Sequence, residues 1–448
     1  MRSKQALVGA AAALLLVGAA SAAWGLPSIP SSKFQPAEGC GCHAGLYDQW
    51  QASMHAKALT DPLYLHKVAE ADKATKGALG PYCTGCHAPV AVMGGEISGL
   101  DISKVSPQGK QGVGCDLCHQ VVGTEGALGN TSLKVQADGA KHAQLKDAVS
   151  PVHATAYSAF HESAEFCGNC HNVDHPVNGM HLEMTYSEWK KGPYAKEGIV
   201  CQDCHMTPGP GVTKPNPGKA AAGGPEREHI YTMTFAGGNV GLGDAARAEE
   251  RLKAAAKVEI DVPDVVEPGK QTKAVVTVTN VGAGHYIPTG LTEVRQMWLE
   301  VKALDAAGKQ IASTKHEFGT VLEDAKGNHP VELWDAVGIY KDDRIPPRGS
   351  STDEVAFTMP DGAVTLSAVL YYRSAPEEMA KAAGVEIPTT EMAKAEKVVY
   401  TSAEEKSKAA VPAPEGDGGM GGLATWIAAA VVLAAGVAAA IVIARRKA

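Results

Sequence analysis

The octapeptide Gly198-Ile199-Val200-Cys201-Gln202-Asp203-Cys204-His205 places two cysteines three residues apart, with a histidine directly after the second. This is the attachment signature of c-type haem. Two thiols at that spacing can add to the two vinyl groups of one porphyrin, and the next histidine then lies under the iron as proximal ligand. The same form occurs at Cys83/Cys86/His87, Cys115/Cys118/His119 and Cys167/Cys170/His171. A fifth site, Cys40-Gly41-Cys42-His43, is one residue short. The shorter loop strains a double attachment, so Cys42 is expected to carry the thioether alone, with His43 still proximal. Zinc sites also pair cysteines in this way, and ten exported cysteines could form five disulfides, but neither chemistry calls for the histidine after each pair. Five haem c groups are therefore expected, four from the regular motifs and one from the shortened site.

All 10 cysteines lie between Cys40 and Cys204, which leaves 33 residues per site. Haems packed that densely form a wire rather than isolated centres. They also account for an aromatic content of only 5%, since porphyrin supplies the missing apolar bulk. Low-spin electron-transfer haems need a second axial ligand, commonly histidine. Besides the five proximal residues, His55, His153, His175, His229 and His285 are the best candidates, and His161 follows. His66, His142, His316 and His329 lie in polar or charged stretches and are read as ordinary solvated side chains. An internal repeat supports a haem at the first site: Tyr47, Trp50, Ser53, His55, Ala56 and Lys57 recur 139 residues later as Tyr186, Trp189, Gly192, Tyr194, Ala195 and Lys196. The segments GVGCDLCH from Gly112 and GIVCQDCH from Gly198 repeat likewise.

The segments YDQWQASMHAKAL, CTGCHAPVAVMGG, FCGNCHNVDHPVNG, TYSEWKKGPYAKEGIVCQDCHM and HIYTMTFAGGN resemble the multihaem cytochrome c family that includes the tetrahaem cytochrome accepting electrons from hydroxylamine oxidoreductase. The resemblance spans roughly residues 38–240. It implies a mostly helical and irregular domain with closely stacked haems, and distal ligation by His55 and His229. The shortened first motif and Tyr194, which stands where the repeat has His55, depart from the family pattern.

Outside this region the chain changes character. Residues 1–25 have a basic start, an apolar run and small residues near Ala20 to Ala23, the pattern of a secretory signal peptide. Residues 423–444 are 22 uncharged, mostly apolar residues, followed at once by Arg445, Arg446 and Lys447. That length spans a hydrocarbon core about 30 Å thick, and the basic stop leaves residues 445–448 in the cytoplasm. Because Gly421 and Gly422 precede the segment, a cleaved sorting tail is the other reading. Residues 402–422 read as a flexible linker. Without the five basic residues of the two ends, the formal charge of −8 becomes −13, and an acidic exported part argues against nucleic acid as a partner.

After a haem domain at 26–240 and a connecting helix at 241–256, the pattern turns to period two. The runs Val258–Val262, Ala274–Thr279, Met297–Val301 and Val364–Tyr372 alternate between turn signals, which predicts an antiparallel, immunoglobulin-like β-sandwich over 257–401. Its glycine-rich loop, Gly282 to Gly290, carries His285 and resembles a loop that reaches a haem in similar cytochromes. The whole is expected to be an exported pentahaem cytochrome c on the periplasmic or cell-surface side of the cytoplasmic membrane. Anchored by its C-terminal transmembrane helix, it would pass electrons between the membrane, with its quinol system, and redox protein partners. The alternative is a pentahaem oxidoreductase that reduces nitrite, hydroxylamine or a sulfur oxyanion at one open haem. Intact mass of the purified protein should correspond to five covalent haems; a mass for four would remove Cys42/His43 from the set.

Overall fold

The computed structural model describes residues 26–97 and 100–410. The expected signal peptide, membrane-spanning segment and basic tail lie outside the described residues, among which no helix is long and apolar enough to cross a membrane. Residues up to Thr401 form one compact unit and residues from Ser402 a second. In the second, the start of the stretch read as a linker is a helix, Ala403–Ala410, whose Lys408 and Glu404 pair at i,i+4 spacing.

The cysteine-bearing region is built of short helices and strands of two to four residues. The longer helices include α1 (Ala44–Ala52), α2 (Pro62–Thr75) and, near its end, α3 (Thr185–Lys191). Sequence explains the limits of α2: the Asp61 side chain accepts from Leu63 N, Pro62 occupies the first turn, and Lys76 closes the helix in the left-handed conformation. No single apolar core unites this region. Its buried side chains form small separate groups, such as Phe34, Val90, Met93, Leu117, Val121 and Leu133 in one and Leu59, Ala88, Ala91, Ile97 and Val105 in another.

Helix α4 (Ala245–Ala255), capped by Asp244, leads directly into the β-rich part. Its seven principal strands are β1 (Ala256–Asp261), β2 (Gln271–Asn280), β3 (Gln296–Leu304), β4 (Gln310–Phe318), β5 (Ser350–Thr358), β6 (Val364–Arg373) and β7 (Thr390–Val399). They form two antiparallel sheets, ordered β5-β2-β1 and β4-β3-β6-β7. Alternate residues of both sheets point into one shared core: Ala274, Val276 and Val278 from β2 meet Leu299 and Val301 from β3 and Leu366, Ala368 and Leu370 from β6. This is the period-two pattern carried into three dimensions.

The runs recognised in the sequence are β1, β2, β3 and β6. Strands β4, β5 and β7 went unrecognised, and all three are sheet edges. Edge strands carry polar and charged residues that discourage pairing with other chains, and QIASTKHEF, SSTDEVAFT and TEMAKAEKVV do so. Leu299→Ala, at a fully buried site opposite Leu370, should lower stability by about 2–5 kcal/mol in urea titration followed by far-UV circular dichroism, with covalent haem content unchanged.

Candidate haem-binding site

The Cys-x-x-Cys-His segments lie in or at the ends of short helices: His87 and His205 are the last helical residues, His119 follows its helix at once, and His171 lies just beyond a helix that ends at Gly168. A histidine that binds iron through one ring nitrogen needs a partner on the other. All five motif histidines have one. His43 Nδ1 bonds Ala220 O at 2.6 Å, His87 bonds Ala58 O at 2.8 Å, His119 bonds His142 O at 2.8 Å and His205 bonds Ala236 O at 2.7 Å. His171 differs: its Nδ1 meets a carboxylate, Glu183 Oε1, at 3.1 Å. In every case Nε2 remains for a metal.

Four of these rings face a second histidine. His43 faces His153 with ring centres 6.3 Å apart, His171 faces His55 at 6.3 Å, His119 faces His161 at 5.9 Å and His205 faces His285 at 6.2 Å. Two imidazoles bonded to one metal at about 2.0 Å each, their centres about 1.1 Å behind the nitrogens, would sit about 6 Å apart. The donor sets therefore fit bis-histidine haem iron. His153 and His285 bond carbonyls through Nδ1, at Ala154 and Tyr286. His161 bonds Cys118 O through Nε2 and keeps Nδ1 buried without a hydrogen-bond partner, as does Nδ1 of His55. Burial depresses the pKa of His55 to about 3 and those of His161 and His205 to about 4. They are neutral at pH 7, as a ligand must be. Burial also opposes protonation of His171, but the Glu183 carboxylate overrides it and lifts that pKa to about 9, so a metal at its Nε2 would have to displace a proton.

His87 is different. Its ring stacks on Tyr64, with centres 3.8 Å apart and planes 8° from parallel. Among the described residues no histidine faces it. His175 and His229, both expected as distal ligands, are placed elsewhere. His175 Nδ1 accepts from Val177 N within its own turn, and His229 Nδ1 accepts from Asn216 N while its ring meets Tyr231 edge-on. Both keep a buried Nε2 without a partner, as His142 does, so an orphaned nitrogen alone does not mark a ligand. The histidines that do face a motif histidine are His55, His153, His161 and His285.

The sequence repeat is also a structural one. Trp50 Nε1 donates to Val113 O at 2.9 Å, and Trp189 Nε1 donates to Ile199 O at 2.8 Å. Val113 N donates to His55 O and Ile199 N to Tyr194 O, each at 3.0 Å. Both arrangements need a left-handed glycine just before, Gly112 at φ 62° and Gly198 at φ 74°. At Gly112 a Cβ would come within 2.5 Å of His55 O. His55 and Tyr194 are therefore equivalent positions with different work. Tyr194 packs against Gly284 and takes Arg348 over its ring at 5.0 Å, which supports the loop that carries His285.

Glu188, on α3, fastens that loop. Its Oε2 accepts from Tyr286 N at 3.1 Å and Thr289 Oγ1 at 2.7 Å, while Oε1 accepts from Arg344 Nη1. Arg344 in turn forks onto Asp342 at 2.9 and 2.8 Å. The Glu188 and Arg344 side chains are 4% and 2% exposed. A buried pair of this kind costs desolvation, and removal of one partner leaves a stranded charge, so the latch fixes position more than it adds stability. Neither Glu183 nor Glu188 was singled out in the sequence. The only signal for either was its place, two residues before Thr185 or one before the repeated tryptophan.

Residues 40–120 match the family model described as cytochrome c554 and c-prime. No curated protein sequence matches the chain. Among solved structures, a penta-haem cytochrome c552 from Thermochromatium tepidum aligns over 83% of this chain and 99% of its own, at 20% identity and a TM-score of 0.60. A match of that extent runs through both the cysteine-bearing region and the β-sandwich, and shows that the two chains share a fold. The CARDB domain of a Pyrococcus furiosus protein aligns over 32% of this chain and 85% of its own at 17% identity, but its TM-score of 0.18 is too low to bear on the fold.

One buried carboxyl stands apart from the ligand sets. Glu293 Oε1 is sealed from solvent without a partner, and burial lifts its pKa to about 7. The folded form thus holds a proton that the unfolded chain has released from about pH 4.5 upward, so stability should fall between pH 4.5 and 7 and then level off. Glu293→Gln should remove that fall. Relative to the parent, the variant should gain about 1–3 kcal/mol between pH 5 and pH 8 in urea titrations.

Proposed function

Because the haem-motif region belongs with the multihaem cytochromes c, we propose that this chain is an exported, membrane-anchored electron carrier with five haems, four ligated by two histidines and one by His87 alone. The observation that carries the reading is the set of four facing histidine pairs, 5.9–6.3 Å apart, each containing one motif histidine. When bound, haem supplies reversible one-electron iron chemistry. The chain's own residues attach it through the paired cysteines of the four regular motifs and through Cys42, orient each proximal ring through Nδ1, and close four irons with His153, His55, His161 and His285. His285 comes from the β-rich part, so the Glu188–Arg344 latch makes that part a working component of the electron path rather than an appendage. The apolar segment 423–444 with its basic stop supports attachment to the membrane. Exchange with a membrane quinol system on one side and a redox protein on the other follows from that position.

A reductase of nitrite, hydroxylamine or a sulfur oxyanion is the second reading, and His87 supports it as the motif histidine that no other histidine faces among the described residues. The sequence pointed instead to Tyr194 and the shortened first motif as places for an open face. In the structure His43 has His153 opposite and Tyr194 packs on the His285 loop.

Carbon monoxide titration of the reduced protein tests this directly. One binding haem per chain is expected in the parent and two in His285→Ala. No binding in the parent would mean that all five irons are closed. One per chain in the variant would return His285 to a plain turn. With CO binding established, turnover of nitrite or hydroxylamine by the reduced protein would favour the enzyme.

A further inference from the structure

The motif of His171 is singular in two respects. Its histidine is the one whose Nδ1 meets a carboxylate, Glu183 Oε1, where the other four meet backbone carbonyls. Both its cysteines also lie beside cysteines of other motifs: Cys170 beside Cys86, and Cys167 beside Cys201. Among the described residues the other such pair is Cys40 and Cys115. The His171 motif is thus the junction between the His87 site and the His205 site.

We propose that Glu183 makes the haem held by His171 the lowest-potential centre of the five, so that the junction of the wire is a step electrons cross without settling on it. The inference rests on the reading above that His171 is an iron ligand. A carboxylate acceptor draws the Nδ1 proton more strongly than a carbonyl does and makes the opposite nitrogen a better donor. A stronger donor stabilises the ferric state, and adding one electron to that iron becomes less favourable. Thr185 Oγ1 donates to the same carboxylate oxygen at 3.5 Å, and Arg295 adds a nearby positive charge that favours the ionised carboxylate. Arg295 is fixed in turn by donating to Ser374 O at 2.7 Å. Electrons arriving at the His87 or His205 site would then collect on either side of the junction rather than on it.

Spectroelectrochemical titration of the full protein tests this with two variants. Glu183→Gln keeps shape and removes charge. With five haems still present by mass, its lowest midpoint should rise by about a tenfold change in the reduction equilibrium, ~59 mV for one electron, while the other four move less. An unchanged lowest midpoint, or a larger shift in another, overturns the proposal. The double variant Cys167→Ser/Cys170→Ser separates this outcome from failure of the underlying reading. If its mass does not fall by one haem, the attachment reading fails at that motif. If it does fall and the missing wave is not the lowest, attachment stands and the role of Glu183 is rejected.

Discussion

An imidazole that is to bind iron through Nε2 must have its Nδ1 proton taken up elsewhere, and the cysteine-bearing half of this chain is arranged around that requirement. The acceptors come from segments as far away in sequence as Ala220, which serves His43, and as near as Glu183, which serves His171. Behind four of the motif histidines stands a backbone carbonyl from a distant segment, and behind His171 the Glu183 carboxylate. Around them the buried apolar side chains form small, separate groups.

Duplication and divergence explain the join to the β-sandwich. Both copies of the repeat dock a tryptophan onto the loop before a haem motif and turn on a left-handed glycine. The first copy offers His55 towards His171. The second carries Tyr194 at the same position, and there the histidine arrives instead from the 282–290 loop as His285, facing His205. Glu188, equivalent in the repeat to Gln49, receives the loop's backbone, whereas Gln49 accepts from Met233 N near the other end of the same domain. Adjacent sites thus use one polar position for the same purpose, to pin the segment that carries a ligand or its support.

The Cys-His motifs stood out in the sequence because covalent attachment would fix their spacing within five residues. The β-sandwich was legible in β1, β2, β3 and β6, whose alternation records burial on one face, and obscure in the edge strands β4, β5 and β7, where charge masks that alternation. Distal ligands were harder. His161 was ranked below His175 and His229, yet it faces His119 and they face no motif histidine, because opposition across an iron depends on the path of the whole chain and leaves no local pattern. Glu183 and Glu188 were silent for the same reason: a carboxylate in a polar stretch looks solvated until the fold buries it against a ligand.

The central claim is that four motif histidines share an iron with His153, His55, His161 and His285, and that His87 does not share one with any histidine. A crystal structure of the haem-loaded protein, with iron located by anomalous scattering at the iron edge, measures this most directly. The account predicts five iron peaks, four lying between those ring pairs and the fifth beside His87 Nε2. An iron beside His175 or His229, or the absence of a peak between any of the four pairs, would contradict it.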